Sequence, residues 1–212
     1  MGREFVDMFE DWADSYDDTV NNRDNEYHEV FENYDLILTK VADRAKGRTL
    51  EFGVGTGNLT EKLRERGHEI YGIEPSKAMR EKAGRRFPEM KLVDGDFLQY
   101  PEFEHPVETI VSTYAFHHLT DDEKRLAIHR YSERLPKGGR IVFADTLFEN
   151  EEAKKAILSR VEEQGYDNLL YDLQTEYYPF LDTLKEMFTA NGFSVNFKRL
   201  NRYVFLIEAV KI

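Results

Sequence analysis

Short apolar runs recur along the chain, and helical periodicity follows them. Residues 49–52, 69–74, 91–97, 109–112 and 140–145 each concentrate branched or aromatic side chains between Gly, Asp or Pro. Runs of that length and composition read as strands, the third of them ending in a turn. The first is followed by alternating glycines and then by a helical pattern. Pro75 and Ser76 open a further helix after the second run, and Leu135-Pro136-Lys137-Gly138-Gly139 closes the one before the fifth. Strands alternating with helices predict an α/β fold with a buried sheet.

The flanks read differently. Phe5, Phe9, Trp12, Ala13 and Tyr16 fall on one helical face, and Tyr27, Val30, Phe31, Tyr34, Ile37 and Val41 form the stripe of a second helix. Residues 149–164 predict a helix ended by Gly165, and Leu181, Leu184, Lys185 and Phe188 another ended by Asn191-Gly192. Residues 193–200 and 203–210 predict a hairpin through Asn201-Arg202.

Leu50-Glu51-Phe52-Gly53-Val54-Gly55-Thr56-Gly57-Asn58-Leu59 carries the strongest chemical signal. A strand, a glycine loop and a helix start form the unit where α/β proteins hold nucleotides. A dinucleotide fingerprint needs G-x-G-x-x-G, but Asn58 or Thr60 stands where the last glycine belongs. No G-K-[ST] follows, so a P-loop fails as well. What remains is an acid, Glu51, before G-x-G-x-G. Glu74 ends the second run twenty-one residues past Gly53. An acid at that distance meets ribose hydroxyls, because a carboxylate accepts two hydrogen bonds from adjacent donors. The competing reading of Glu74 is a helix cap.

Residues 51–57 resemble motif I of the class I S-adenosylmethionine (SAM) dependent methyltransferases, nearest to the YrrT-like group of Bacillus-type bacteria. The likeness runs from about Trp12 to the C-terminus. It implies a Rossmann-like sheet of seven strands, helices on both faces and an antiparallel C-terminal strand. It implies SAM as cofactor, with Glu51, Gly53, Gly55, Gly57, Glu74 and Thr113 around it. It also implies Asp96 at the adenine amino group with Phe97 on the ring. Asp94 competes with Asp96, its other role being a turn before Gly95. The family's segment before the first strand folds over SAM, which puts Tyr16 above the cofactor. One domain results: a helical lid (1–46), a SAM-binding core (47–149), a helical substrate-side insertion (150–192) and a terminal hairpin (193–212).

The loop after the fourth run, Thr113-Tyr114-Ala115-Phe116-His117-His118-Leu119, ends in a His-Leu pair common in the family. Adjacent histidines raise the question of a metal. No third ligand stands at metal spacing, and the chain has no cysteine, so the sequence reading is no metal. Asp145 reads equally as a pocket-rim group or a helix cap. A methyl acceptor needs a general base only if it must lose a proton, and His117, His118, Tyr114 and His28 are the candidates. The loop lacks the Asn/Asp-Pro-Pro-aromatic motif of enzymes that methylate exocyclic amines of DNA bases.

Composition narrows the acceptor. The chain has 212 residues and a net charge of −12. Residues 1–40 carry twelve acids against three bases, a net of −9. Nucleic-acid binders usually show a basic stripe, and only short clusters such as residues 80–86 and 198–202 occur here. The expectation is therefore a small-molecule acceptor, with tRNA, rRNA or protein, or a non-catalytic SAM-binding module, as the alternatives. A tyrosine-rich segment around Tyr166, Tyr171, Tyr177 and Tyr178 suits a small, partly apolar or cationic substrate. No apolar run of membrane-spanning length occurs and no signal peptide or myristoylation pattern opens the chain, so cytoplasm is the expected setting. A homodimer stays open.

Overall fold

In a computed structural model, residues 5–13, 15–20 and 24–212 are described. The amino-terminal Met1 and Gly2, and Asp14 within the Trp12-to-Asp17 run, lie outside them. Seven strands form one sheet: β1 (Thr49–Phe52), β2 (Ile70–Ile73), β3 (Lys91–Val93), β4 (Thr109–Thr113), β5 (Arg140–Thr146), β6 (Phe193–Arg199) and β7 (Val204–Lys211), in the order β3-β2-β1-β4-β5-β7-β6. β1 to β5 pair in parallel, while β7 runs antiparallel to both β5 and β6.

All residues of β1 and β2 are buried, because helices cover both faces of the sheet. Side chains alternate between two apolar layers. Ile110, Ile141, Phe143 and Ile207 pack on one side with α6 (Asp121–Arg134) and α9 (Leu181–Ala190). Val111, Val142, Ala144 and Leu206 face the other, with α3 (Tyr34–Ala42), α4 (Asn58–Glu65), α7 (Glu151–Gln164) and α8 (Asp167–Thr175). The remaining helices are α1 (Val6–Trp12), a single turn α2 (Tyr16–Asp18) and α5 (Lys77–Arg86). Local chemistry starts and stops them. Ser76 caps α5 by accepting from the Met79 N–H, Thr120 and Glu123 form a capping box on α6, and Gly165 ends α7 at φ 69°.

Two expectations need correction. The second amino-terminal helix begins only at Tyr34, because Asn33 adopts φ 62° and breaks the stripe that starts at Tyr27. The first helix stops at Trp12, short of Tyr16. The third run holds as expected, a strand over Lys91 to Val93 that ends in a turn. There Asp96 turns the chain by accepting from the Leu98 and Gln99 N–H groups at 2.8 and 2.7 Å. The strand order reverses between β1 and β4, and the crevice at their carboxyl ends is where α/β sheets bind ligands.

Candidate active site

The crevice is a cleft partly open to solvent, at the place where such sheets hold cofactors. Gly53, Gly55, Glu74, Asp96, Phe97, Thr113 and Tyr16 all line it, joined by Tyr114 and His118. Two of the expected cofactor residues do not reach it. Glu51 is buried in β1 below the loop, where Oε2 accepts from Thr60 Oγ1 at 2.7 Å while Oε1 has no hydrogen-bond partner. Gly57 is the residue before α4, at φ 92°, and a Cβ there would come within 2.6 Å of the Phe87 ring. Its glycine serves the packing of α4 against α5 rather than a ligand.

Gly55 is the opposite case. At φ 57° a Cβ would meet nothing within 4 Å, so the loop leaves open space over its backbone. Beside it Glu74 is buried, accepting from the Gly55 N–H at 2.7 Å and the Ser76 N–H at 2.9 Å. Burial pushes the Glu74 carboxyl up to about 7, against the pull of those two hydrogen bonds. Burial likewise lifts Glu51 to about 8, opposed by Thr60. Asp96 is buried on the cleft, whereas Asp94 is exposed and pairs with Arg80 at 3.1 Å. A buried carboxylate, an open glycine turn, an apolar wall of Phe97 and Met79 and a second buried acid fit a nucleoside cofactor.

The amino-terminal segment is latched over this cleft. Asp17 accepts from Thr56 Oγ1 at 2.7 Å and from Asn58 Nδ2 at 3.0 Å. Glu10 takes the Lys77 and Ala78 N–H groups at the start of α5, at 2.5 and 3.1 Å. Lys82 Nζ donates to the Ala13 carbonyl at 2.6 Å. Val6, Phe9 and Tyr16 thereby become part of the cleft wall.

A second cleft adjoins the first and shares Phe9, Tyr16, Tyr114 and His118 with it. Trp12, Tyr27, Phe31, Tyr178 and Tyr203 line it, with Asp172 and Glu176 as its acids and no lysine or arginine among the described residues. Tyr114 stands on the shared wall at φ 54°, a strained region for an aromatic residue, with its ring 5.1 Å from Phe31. Burial raises the Tyr16 and Tyr114 hydroxyls well above their ordinary value.

The histidine pair sits on a scaffold that sequence spacing did not show. Asp145 is buried and is neither rim nor cap: it accepts from the His117 N–H at 2.9 Å and lies 2.5 Å from His117 Nδ1. The cap of α7 is Asn150. Glu176, just past α8, lies 3.3 Å from His117 Nε2 and 3.5 Å from His118 Nε2, and accepts from Tyr178 Oη. Burial opposes charge on His117, but Asp145 and Glu176 outweigh it and raise the imidazole to about 10. His118 is lowered by burial and by His117. Burial would raise Glu176, yet both histidines hold its carboxyl well below the usual range. Burial raises Asp172 to about 6 against the hydrogen bond from Tyr27. No signal pointed to Glu176, since α8 itself went unpredicted and fifty-nine residues separate Glu176 from His117. His28 lies apart, its Nδ1 2.7 Å from the Asn25 carbonyl, and lines neither cleft.

Comparison with known proteins accords with this geometry. Residues 49–139 match the model of a methyltransferase domain. Over 211 residues the chain is 53% identical to an uncharacterized methyltransferase of Anoxybacillus flavithermus, covering all of both chains. It is 51% identical over 212 residues to the uncharacterized methyltransferase YrrT of Bacillus subtilis, again covering both completely. The chain belongs to the class I SAM-dependent methyltransferases. Among solved structures it superposes on magnesium protoporphyrin IX methyltransferase of Synechocystis with bound SAH. The TM-score is 0.71 at 15% identity, covering 97% of this chain and 99% of that one. SAM is the cofactor, and the antiparallel β7 beside β5 is the expected departure from dinucleotide-binding sheets. Among the described residues no helix is long and apolar enough to cross a membrane.

Proposed function

We propose that this methyltransferase acts on a small-molecule acceptor bound in the second cleft. The observation that carries the reading is the continuity of the two clefts through Tyr16, Tyr114 and His118. A bound cofactor supplies an electrophilic methyl group on a sulfonium. The chain's part is positioning and exclusion of water. Glu74 takes the ribose hydroxyls, Asp96 faces the adenine amino group, Phe97 and Met79 flank the ring, and Gly53, Gly55 and Thr113 line the rest. Tyr16 closes the cleft from above, within a lid of residues 1–46 on a single domain whose 150–192 segment walls the acceptor.

Aromatic walls and two acids suit a compact, partly apolar or cationic acceptor better than a polyanion. Cytoplasmic location and self-association as a homodimer belong to the same reading, the latter read by sedimentation of the purified chain. Incubation with methyl-labelled SAM and a fractionated cell extract tests the function. Label in small molecules supports it. Label in RNA or protein overturns it. SAM binding with no label anywhere favours a non-catalytic module.

A further inference from the structure

We propose that His117, His118 and Glu176 form a binding site for a first-row divalent cation of the zinc class, on the wall of the acceptor cleft. The ring nitrogens and a carboxylate oxygen of this trio all lie within 4.8 Å of one another. The individual spacings are informative. His117 Nε2 and Glu176 Oε2 stand 3.3 Å apart, and His118 Nε2 and Glu176 Oε1 3.5 Å apart. A hydrogen bond between an imidazolium and a carboxylate closes to about 2.7–2.9 Å. Ligand atoms 2.0–2.2 Å from one tetrahedral ion lie roughly 3.3–3.5 Å from each other. Both histidine-to-carboxylate spacings, each to its own oxygen of Glu176, match the second.

The surroundings match what a metal-binding histidine requires. A ligating imidazole gives its other ring N–H to a carboxylate, which sets the tautomer and aims the free nitrogen. His117 has this arrangement: Nδ1 lies 2.5 Å from Asp145 Oδ1, leaving Nε2 toward Glu176. Asp145 is itself held, accepting from the backbone N–H groups of His117 and Thr146 at 2.9 and 2.8 Å. Tyr178 Oη donates to Glu176 and its ring stacks on His117 with centroids 4.7 Å apart, which orders both ligands. Two imidazoles and one carboxylate are a donor set for zinc and its neighbours rather than for magnesium or calcium, which prefer oxygen ligands. With three protein ligands, a fourth position faces the acceptor cleft that all three line. A cation there would act as a Lewis acid on an acceptor hydroxyl, thiol or carboxylate oxygen, which goes beyond the proposed transfer reaction and names an acceptor able to coordinate.

The test uses untagged, full-length protein stripped with chelator. Zinc chloride titrated by calorimetry should bind at one ion per chain with a dissociation constant in the micromolar range or tighter. Cobalt(II) should develop the intense visible bands of a four-coordinate site. Glu176→Gln should weaken zinc binding at least a hundredfold, and Asp145→Asn, which touches the metal only through His117, by roughly ten- to a hundredfold. SAM binding and the circular dichroism of each variant report whether it has folded. Absence of stoichiometric zinc in the wild-type chain overturns the site, as does equal affinity in folded Glu176→Gln. Should that variant fail to fold, wild-type stoichiometry and Asp145→Asn still decide. Zinc binding is read without methyl transfer, so loss of one result leaves the other standing.

Discussion

Asp17 accepts a hydrogen bond from Thr56 Oγ1 at 2.7 Å, tying the amino-terminal segment to the loop between β1 and α4. Thr56 stands between Gly55, which lines the cofactor cleft, and Gly57, which starts α4. The bond therefore couples closure of the lid to the conformation of the loop beneath it. Asp17→Ala should raise the SAM dissociation constant about fivefold, the size expected for losing one or two partly exposed hydrogen bonds worth about 1 kcal/mol. Stopped-flow measurement should place the change in the dissociation rate, with the melting temperature little altered.

Glu74 supplies a stronger test of the cofactor cleft. Its alanine variant should bind SAM at least tenfold more weakly in calorimetry, and an unchanged constant would remove Glu74 from the site.

The same residue sets a pH dependence. Its carboxyl is raised by burial from 4.5 to about 7 in the ligand-free chain, so below that pH it carries a proton that accepting two hydroxyl donors must displace. SAM affinity should fall as pH drops through about 7, and Glu74→Gln should flatten that limb. The linkage to folding has the opposite sign. The folded chain keeps a proton that the unfolded chain releases above about 4.5, so this group's contribution to stability declines as pH rises from about 4.5 to about 7. Chemical denaturation at several pH values, wild type against Glu74→Gln, reads it.

Gly57 is expected to matter for stability rather than for binding contacts. Alanine there meets both φ 92° and the Phe87 ring at 2.6 Å. A loss of roughly 1–3 kcal/mol follows, or several degrees in melting temperature for a chain of this size. Phe87→Leu in the same chain should recover part of it, which a strain confined to the backbone would not allow.

Lys124 is fully buried in α6, where Nζ donates to the carbonyls of Leu119 and Tyr177. It ties the loop that carries the histidines to the segment that follows Glu176. Lys124→Met should unfold at lower denaturant by roughly 2–4 kcal/mol, since two buried carbonyls lose a charged donor. A melting curve unchanged from wild type would show that water replaces the ammonium.

The residues that were legible in the sequence are those whose partners lie close along the chain. β1 spans the four expected residues, and α7 ends at the expected Gly165. Errors arose where one local conformation decides. The left-handed Asn33 interrupts a good apolar stripe. Helix α8 escaped because it is short, has no side-chain cap at its start and buries only Leu169 and Leu173. The cofactor set divides along the same line. Glu51 and Gly57 belong to the motif, yet one lies under the loop and the other packs on Phe87.

The sequence by itself determined the alternation of strand and helix, the glycine loop with its two acids, and hence the family and the cofactor. These follow from periodicity and short spacing, which local sterics and burial enforce. Only the tertiary structure decided which side chains meet across the sheet. Asp145 was read as rim or cap and instead holds His117. Glu176 arrives beside two histidines because the segment after α8 bridges to Phe148, just past β5. Such meetings come from the packing of buried apolar faces, which brings distant segments together without leaving any mark in the spacing of the polar residues they carry.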